Sequence, residues 1–199
     1  MARTRKRLVR HDHAVQFYGS ELSLFTTVSG FLAEGLVAGQ PAILIATPPH
    51  TDGILQHLSA RLIDCEQARR TGDLVVLDSA DTMELFMVHG VPDADLFERH
   101  LGAVIEQTRR GRERTTVRAY GEMVDVLWKD GRPDAAISLE ILWNRLAMKY
   151  GFALLCGYAM GNFYKQSSQL EEVRDQHTRI VGDDARLLPF RQKRATRTA

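Results

Sequence analysis

What this sequence lacks narrows its class first. Among 199 residues there are only two cysteines, Cys65 and Cys156, too few and too far apart for a disulfide scaffold or a cysteine-rich zinc site. No run approaches the roughly 20 unbroken apolar residues that a membrane-spanning helix needs. The opening Met1-Ala-Arg-Thr-Arg-Lys-Arg7 is basic, but no apolar signal-peptide core follows it. These absences point to a cytoplasmic, single-domain protein without membrane association, and the length is enough to bury a sizeable core.

Catalytic signatures are missing too. After the first apolar strand pattern, where a P-loop would need glycines, a Lys and a Ser/Thr, the chain has Ala46-Thr-Pro-Pro-His-Thr-Asp-Gly53. Prolines remove N–H donors from that turn, and no Lys follows to meet a phosphate. Val75-Val-Leu-Asp78 resembles a Walker B strand with its Asp, although such an Asp also suits a helix cap. Neither a Gly-x-Gly-x-x-Gly turn nor a Gly-x-Ser-x-Gly elbow occurs. The expectation is a protein that is not an enzyme and carries no cofactor.

The formal charge of +1 conceals an asymmetry. Residues 1–10 hold five basic side chains and no acid, as do residues 186–199, so positions 11–185 carry 16 basic and 25 acidic residues, a formal −9. The ends, 1–10 and 183–199, read as solvated, disordered basic tails. They are the only part that could attract nucleic acid, by salt-screened electrostatics.

Between them, helical and strand patterns alternate. Leu24, Phe25, Val28, Phe31, Leu32 and Leu36 make a helical stripe in 21–37. Pro41–Thr47 reads as a buried strand, followed by a helix with Thr51 as its N-cap. Leu74–Asp78 is a second strand. A short helix is expected at 81–88, with Asp81 and Glu84 spaced as a capping box, and a longer one opens at Pro92-Asp93. Thr115–Tyr120 and Phe152–Cys156 are further strands, separated by a helix from Pro133 with Trp143 on its core side. An exposed helix closes the body at 167–180, and His13–Tyr18 is a candidate fifth strand. Strands apolar throughout and separated by helices specify an α/β three-layer sandwich with a mostly parallel central sheet.

In such a sheet ligands bind beyond the carboxyl ends of the strands, here near Thr47, Asp78, Tyr120-Gly121-Glu122 and Tyr158. A small-molecule site combines apolar and aromatic walls with a few placed polar groups. His13, Tyr18, Tyr120 and Glu122 are the candidate polar contacts, with Phe17 and Trp128 as walls. Glu122 follows an apolar strand and needs a partner if buried; His13 or a backbone cap is a candidate, and the alternative is an exposed Glu122 capping the next helix. His11 and His13, one residue apart, could chelate a metal on a strand, but nothing in the spacing supplies further ligands, so no metal is expected. Cys156 reads as a small core residue.

Those residues also carry a resemblance. His13-x-x-x-Phe17-Tyr18, Ala46-Thr-Pro48, Val76-Leu-Asp78, Tyr120-Gly-Glu-Met123 with Leu127-Trp128, Leu139-Glu-x-Leu-Trp143-Asn144 and Phe152-Ala-Leu-Leu-Cys156 resemble, in order and spacing, the methanogen/methylotroph, DcmR sensory (MEDS) family over residues 11–182. The resemblance implies a RecA/KaiC-like fold with a degenerate phosphate loop and a sensory role for small hydrocarbon derivatives. It places His13, Phe17, Tyr18, Tyr120 and Gly121 in the ligand motifs. A His-Ser/Thr step like His177-Thr178 closes the domain, which elsewhere is joined to histidine kinases or DNA-binding domains.

Together these readings lead to a stand-alone sensory module with a small-molecule ligand and a signalling partner, a histidine kinase or transcription regulator. A homodimer is the commonest assembly for such a chain. The alternatives are a regulator that docks proteins without a small ligand, and a residual nucleotide-binding protein.

Overall fold

A computed structural model describes residues 12–112, 115–163 and 167–182; the expected basic tails and His11 lie outside the described residues. The elements run β1 (Asp12–Tyr18), α1 (Glu21–Val37), β2 (Ala42–Ala46), α2 (Pro48–Ala60), α3 (Cys65–Thr71), β3 (Leu74–Asp78), α4 (Ser79–Glu84), β4 (Met87–Val88), β5 (Val91–Pro92), α5 (Ala94–Arg109), β6 (Arg118–Gly121), α6 (Met123–Lys129), α7 (Pro133–Tyr150) and β7 (Ala153–Ala159). A 3₁₀ turn (Met160–Phe163), α8 (Ser167–Asp175) and β8 (Arg179–Val181) complete them. No helix among the described residues is long and apolar enough to cross a membrane.

Six strands form one sheet in the order β3-β2-β6-β7-β1-β8, and every pairing in it is parallel. β4 and β5 make a separate antiparallel hairpin. Period-2 alternation sends Val15, Phe17, Ile43, Ile45, Ala119, Leu154, Cys156 and Tyr158 to one face, under α5, α6, α7 and α8. Ala14, Tyr18, Leu44, Tyr120 and Leu155 face the other way, under α1, α2 and α3. Two apolar cores therefore flank the sheet, as the α/β three-layer sandwich requires.

Local chemistry explains where the elements start. Ser20 caps α1 by accepting from Ser23 N at 3.2 Å. Asp93 caps α5 through Asp95 N and Leu96 N, and Pro133 stands in the first turn of α7. The helix after β2 begins at Pro48, a turn earlier than an N-cap at Thr51 would allow. Prolines suit a first helical turn because their φ is already set and the N–H they lack has no intrahelical partner there. Asp78 caps α4, accepting from Ala80 N at 2.7 Å and Asp81 N at 3.0 Å; the helix starts at Ser79 instead of 81 and gives way to the β4–β5 hairpin.

The closing segment departs most from its pattern. The helix expected to reach 180 stops at Asp175, and Arg179–Val181 becomes an edge strand beside β1. Thr178 anchors it, with its N–H donating to His13 O at 2.7 Å and its hydroxyl to the same oxygen at 2.9 Å. The open edge of β1 supplies hydrogen-bond partners that outweigh local helix propensity.

Packing between β7 and β6 is close at Gly157, where an added Cβ would lie 2.7 Å from the Tyr120 hydroxyl and 3.3 Å from Leu24. Gly157→Ala is expected to cost about 1–3 kcal/mol in urea unfolding through overpacking. Gly161→Ala, whose Cβ would meet nothing within 4 Å, should change stability by less than about 0.5 kcal/mol. Equal losses would contradict tight packing at Gly157.

Candidate ligand site at the strand carboxyl ends

The connection leaving β2 runs outward to β3, whereas that leaving β6 runs the opposite way to β7. Strand order therefore reverses between β2 and β6, and the crevice outside such a reversal is where open parallel sheets bind ligands. Thr47-Pro48-Pro49-His50 leaves β2 there, and Glu122 leaves β6. Glu122 N donates to Ile45 O at 3.2 Å, holding the two strand ends together.

Glu122 occupies the crevice. It is 2% exposed and accepts from Thr47 N–H at 2.6 Å, His50 Nδ1 at 2.6 Å and the Tyr120 hydroxyl at 3.2 Å. Its carboxylate thus sits at the first turn of α2, where the helix dipole and a free backbone donor favour an anion. The Glu122 hydrogen bond lifts the His50 pKa against the opposing effect of burial. Burial, then the Glu122 charge, pushes the Tyr120 phenol well above its ordinary value.

A second buried carboxylate lies beside it. Asp125, 1% exposed, accepts from the Tyr18 hydroxyl at 3.0 Å, from Ala159 N at 2.9 Å and from Asn162 Nδ2 at 2.6 Å. Lys129, one turn on along α6, reaches it at 2.8 Å from a half-exposed position. Burial and then Asp125 raise the Tyr18 pKa, so the phenol stays a proton donor. The edges of the Tyr18 and Phe25 rings meet His50, with centroids 6.2 and 5.8 Å away. The two carboxylates together link β1, β6, β7, α2, α6 and the 3₁₀ turn.

The sheet divides the residues nominated from sequence. Tyr18, Tyr120, Gly121 and Glu122 come together at the crevice. Phe17 and Trp128 lie on the opposite face in an aromatic cluster with Tyr158 and Phe163, at centroid distances of 4.7 to 6.0 Å. His13 is near the amino end of β1, roughly 13 Å along the strand from Phe17 at about 3.3 Å per residue. It is therefore not the partner of Glu122, which pairs with His50; nor is Glu122 an exposed helix cap, since its side chain is buried and caps nothing in α6.

His13 instead meets Glu140 and Cys156, each 3.3 Å from its Nε2, and the ring of His177, 4.1 Å between centroids. Burial holds His13 below its ordinary pKa, reinforced by His177 and opposed by Glu140. Burial alone would raise the Glu140 carboxyl, but His177 and His13 outweigh it and keep it well below the usual carboxylate range. Burial, with Glu140 adding to it, raises the Cys156 thiol. These are the described residues whose chemistry suits a metal.

Sequence reasoning missed His50, Asp125, Lys129 and Asn162 in the crevice. Asp125 and Lys129 had a signal, an i, i+4 acid–base pair directly after the Tyr-Gly-Glu step. His50 had only its place in the turn after β2. An open cavity of about 490 Å³ lies elsewhere, toward the amino ends of the strands, with Phe31, Phe152 and Leu155 below and Arg118, Asp12 and Arg179 around it.

Compared with known proteins, the chain matches the family described as methanogen/methylotroph, DcmR sensory domain over residues 12–178. No curated protein matches it.

The His50–Glu122 pair has a definite pH signature. The folded-state pKa of His50 lies above its ordinary 6.5, so the folded chain holds a proton there that the unfolded chain has released. That stabilisation is complete below about pH 6.5 and is lost as pH rises through the folded value. Unfolding free energy should thus fall more steeply between about pH 6 and pH 8 in the wild type than in His50→Gln. Parallel profiles would show that the pair is not ionic.

Proposed function

The chain belongs to the methanogen/methylotroph, DcmR sensory (MEDS) family, and we propose that it acts as a sensory module that binds a small, weakly polar molecule at the β2–β6 crevice and is read by a partner protein. The observation that carries this reading is the pair of buried carboxylates, Glu122 and Asp125, tied to six elements at the reversal of strand order. Buried charges are costly unless fully partnered. Here the partners come from several segments, so a ligand that competes for the Tyr18 or His50 hydrogen bond shifts one element against another. Such a shift is the kind of two-state bias a sensor needs.

Tyr18, Tyr120 and Glu122 supply polar contacts in this reading, joined by His50 and Asp125, with Phe25 as a wall. Phe17 and Trp128 act from the other side of the sheet by setting the position of β1 and α6. The role is non-catalytic: the Glu122 carboxylate holds the Thr47 N–H that a phosphate would require, and Pro48 and Pro49 offer no donors. The recipient of the signal is a kinase or transcription regulator.

A second site is favoured by one observation, the 490 Å³ cavity at the opposite edge, which falls within the usual size range for small-molecule pockets. A thermal-shift panel of small alcohols, ketones and halogenated hydrocarbons, with ATP and GTP alongside, separates the cases. A ligand at a hundredfold excess over its Kd should stabilise the fold by about 2.7 kcal/mol. The expected result is a shift from a weakly polar compound that disappears in Tyr18→Phe and Glu122→Gln and survives in Ala153→Leu, a substitution that enlarges a side chain lining the other cavity. The reverse pattern moves the ligand there. A shift from nucleotide alone, or from nothing in the panel, would sink the proposal in favour of a nucleotide-binding or purely protein-docking role.

A further inference from the structure

Four side chains outside the crevice converge beneath the sheet: His13 from β1, Glu140 from α7, Cys156 from β7 and His177 from the loop between α8 and β8. One ligating atom from each lies within 4.8 Å of all the others. The His13 and Glu140 side chains are fully buried, that of His177 is 1% exposed, and Cys156 is buried as well.

The hydrogen bonds around the group orient both imidazoles. Asn144 Nδ2 donates to Gln176 O at 2.9 Å, which leaves Asn144 Oδ1 to accept from His13 Nδ1 at 3.0 Å. His177 Nδ1 donates to Val173 O at 2.7 Å. Each ring therefore donates outward through Nδ1 and turns Nε2 inward, toward Glu140. Metal-bound histidines are held in the same way, with the outer nitrogen donating to a carbonyl or amide oxygen.

Inside, the atoms that face one another are electron-rich. His13 Nε2 lies 3.3 Å from both Glu140 Oε2 and Cys156 Sγ, and Cys156 Sγ lies 3.5 Å from Glu140 Oε2. His177 Nε2 is 3.4 Å from Glu140 Oε1 yet makes no hydrogen bond, although fully buried. Two ring nitrogens facing a carboxylate need a positive charge among them, which a shared proton or a bound cation supplies. The contacts among His13, Cys156 and Glu140 Oε2 match the roughly 3.3–3.8 Å that bonds of about 2.0–2.3 Å in a tetrahedron give neighbouring ligand atoms, and His177 completes a set within 4.8 Å.

We propose that His13, Glu140, Cys156 and His177 form a closed binding site for a divalent transition ion of the zinc class. Two imidazoles, one thiol and one carboxylate suit zinc, and cobalt as its substitute, and suit calcium or magnesium poorly, since those take oxygen ligands. Four protein ligands and no exposed face match a structural site, not a catalytic one. The Tyr158 hydroxyl donates to Glu140 Oε1 at 2.9 Å and leaves Oε2 turned to His13 and Cys156. Binding releases the thiol proton, together with any proton shared between His177 and Glu140. The ion joins the α8–β8 segment to β1, β7 and α7, independently of what occupies the crevice.

The full chain, stripped with chelator and titrated with Zn²⁺ or Co²⁺, should take up one ion per chain. Co²⁺ should give a thiolate charge-transfer absorption that is absent in Cys156→Ala. Metal should slow hydrogen exchange over residues 173–182 in the wild type and have no such effect in His177→Gln, a change that keeps side-chain size and can be checked for folding by circular dichroism. Substoichiometric uptake, or uptake unchanged in both variants, would overturn the site and leave a proton-bridged histidine–glutamate pair. Uptake abolished by His11→Ala while Cys156→Ala still binds would overturn it equally, by placing the metal on the terminal histidine pair.

Discussion

A parallel sheet covered by helices on both faces gives its central strands no solvent side, so each polar group on them must find a partner inside the protein. That constraint organises this molecule. β1, β6 and β7 carry His13, Tyr18, Tyr120, Cys156 and Tyr158, all buried, and the surrounding segments meet them with Glu140, Glu122, Asp125 and Asn144. An unpartnered group of this kind would cost about 1–3 kcal/mol. The polar interior is accordingly arranged as connected networks.

Two networks result, and the sheet keeps them apart. One closes the crevice at the carboxyl ends of the strands through Glu122 and Asp125. The other lies under the opposite face, where Glu140 gathers two imidazoles, a thiol and a phenol. Both are made from hydrogen bonds between different elements, so each reports on relative positions: the first on α2 and α6 against the sheet, the second on α8 and β8 against β1. Such a design suits a sensory family, because a change at one bond in a network redistributes the rest.

The fold was largely legible from the sequence. Apolar runs such as Ala42–Ala46 and Leu74–Asp78, separated by stripes such as Leu24/Val28/Leu32, leave few alternatives to a covered parallel sheet. Capping residues were legible where the side chain is short and local, as at Asp78. The errors fall where a distant partner outweighed a local preference. Arg179-Ile180-Val181 continues a helical pattern on paper, but the edge of β1 draws it into a strand. The alternative of an exposed Glu122 capping the next helix gives way likewise, because His50, 72 positions away, and Thr47 N–H draw its side chain inward.

The candidate site divides along the same line. Residue types and their order are properties of the sequence alone, and they were enough to indicate the family, the sandwich and the acidic body between basic ends. Which of those residues meet was decided only in three dimensions. A two-residue period puts Phe17 and Tyr18 on opposite faces. The strand order β3-β2-β6-β7-β1-β8 makes neighbours of positions 13 and 156, and of 47 and 122. Sequence records spacing along the chain, whereas a hydrogen bond or a metal site depends on distance through space, and long crossovers between parallel strands separate the two more than any local turn does.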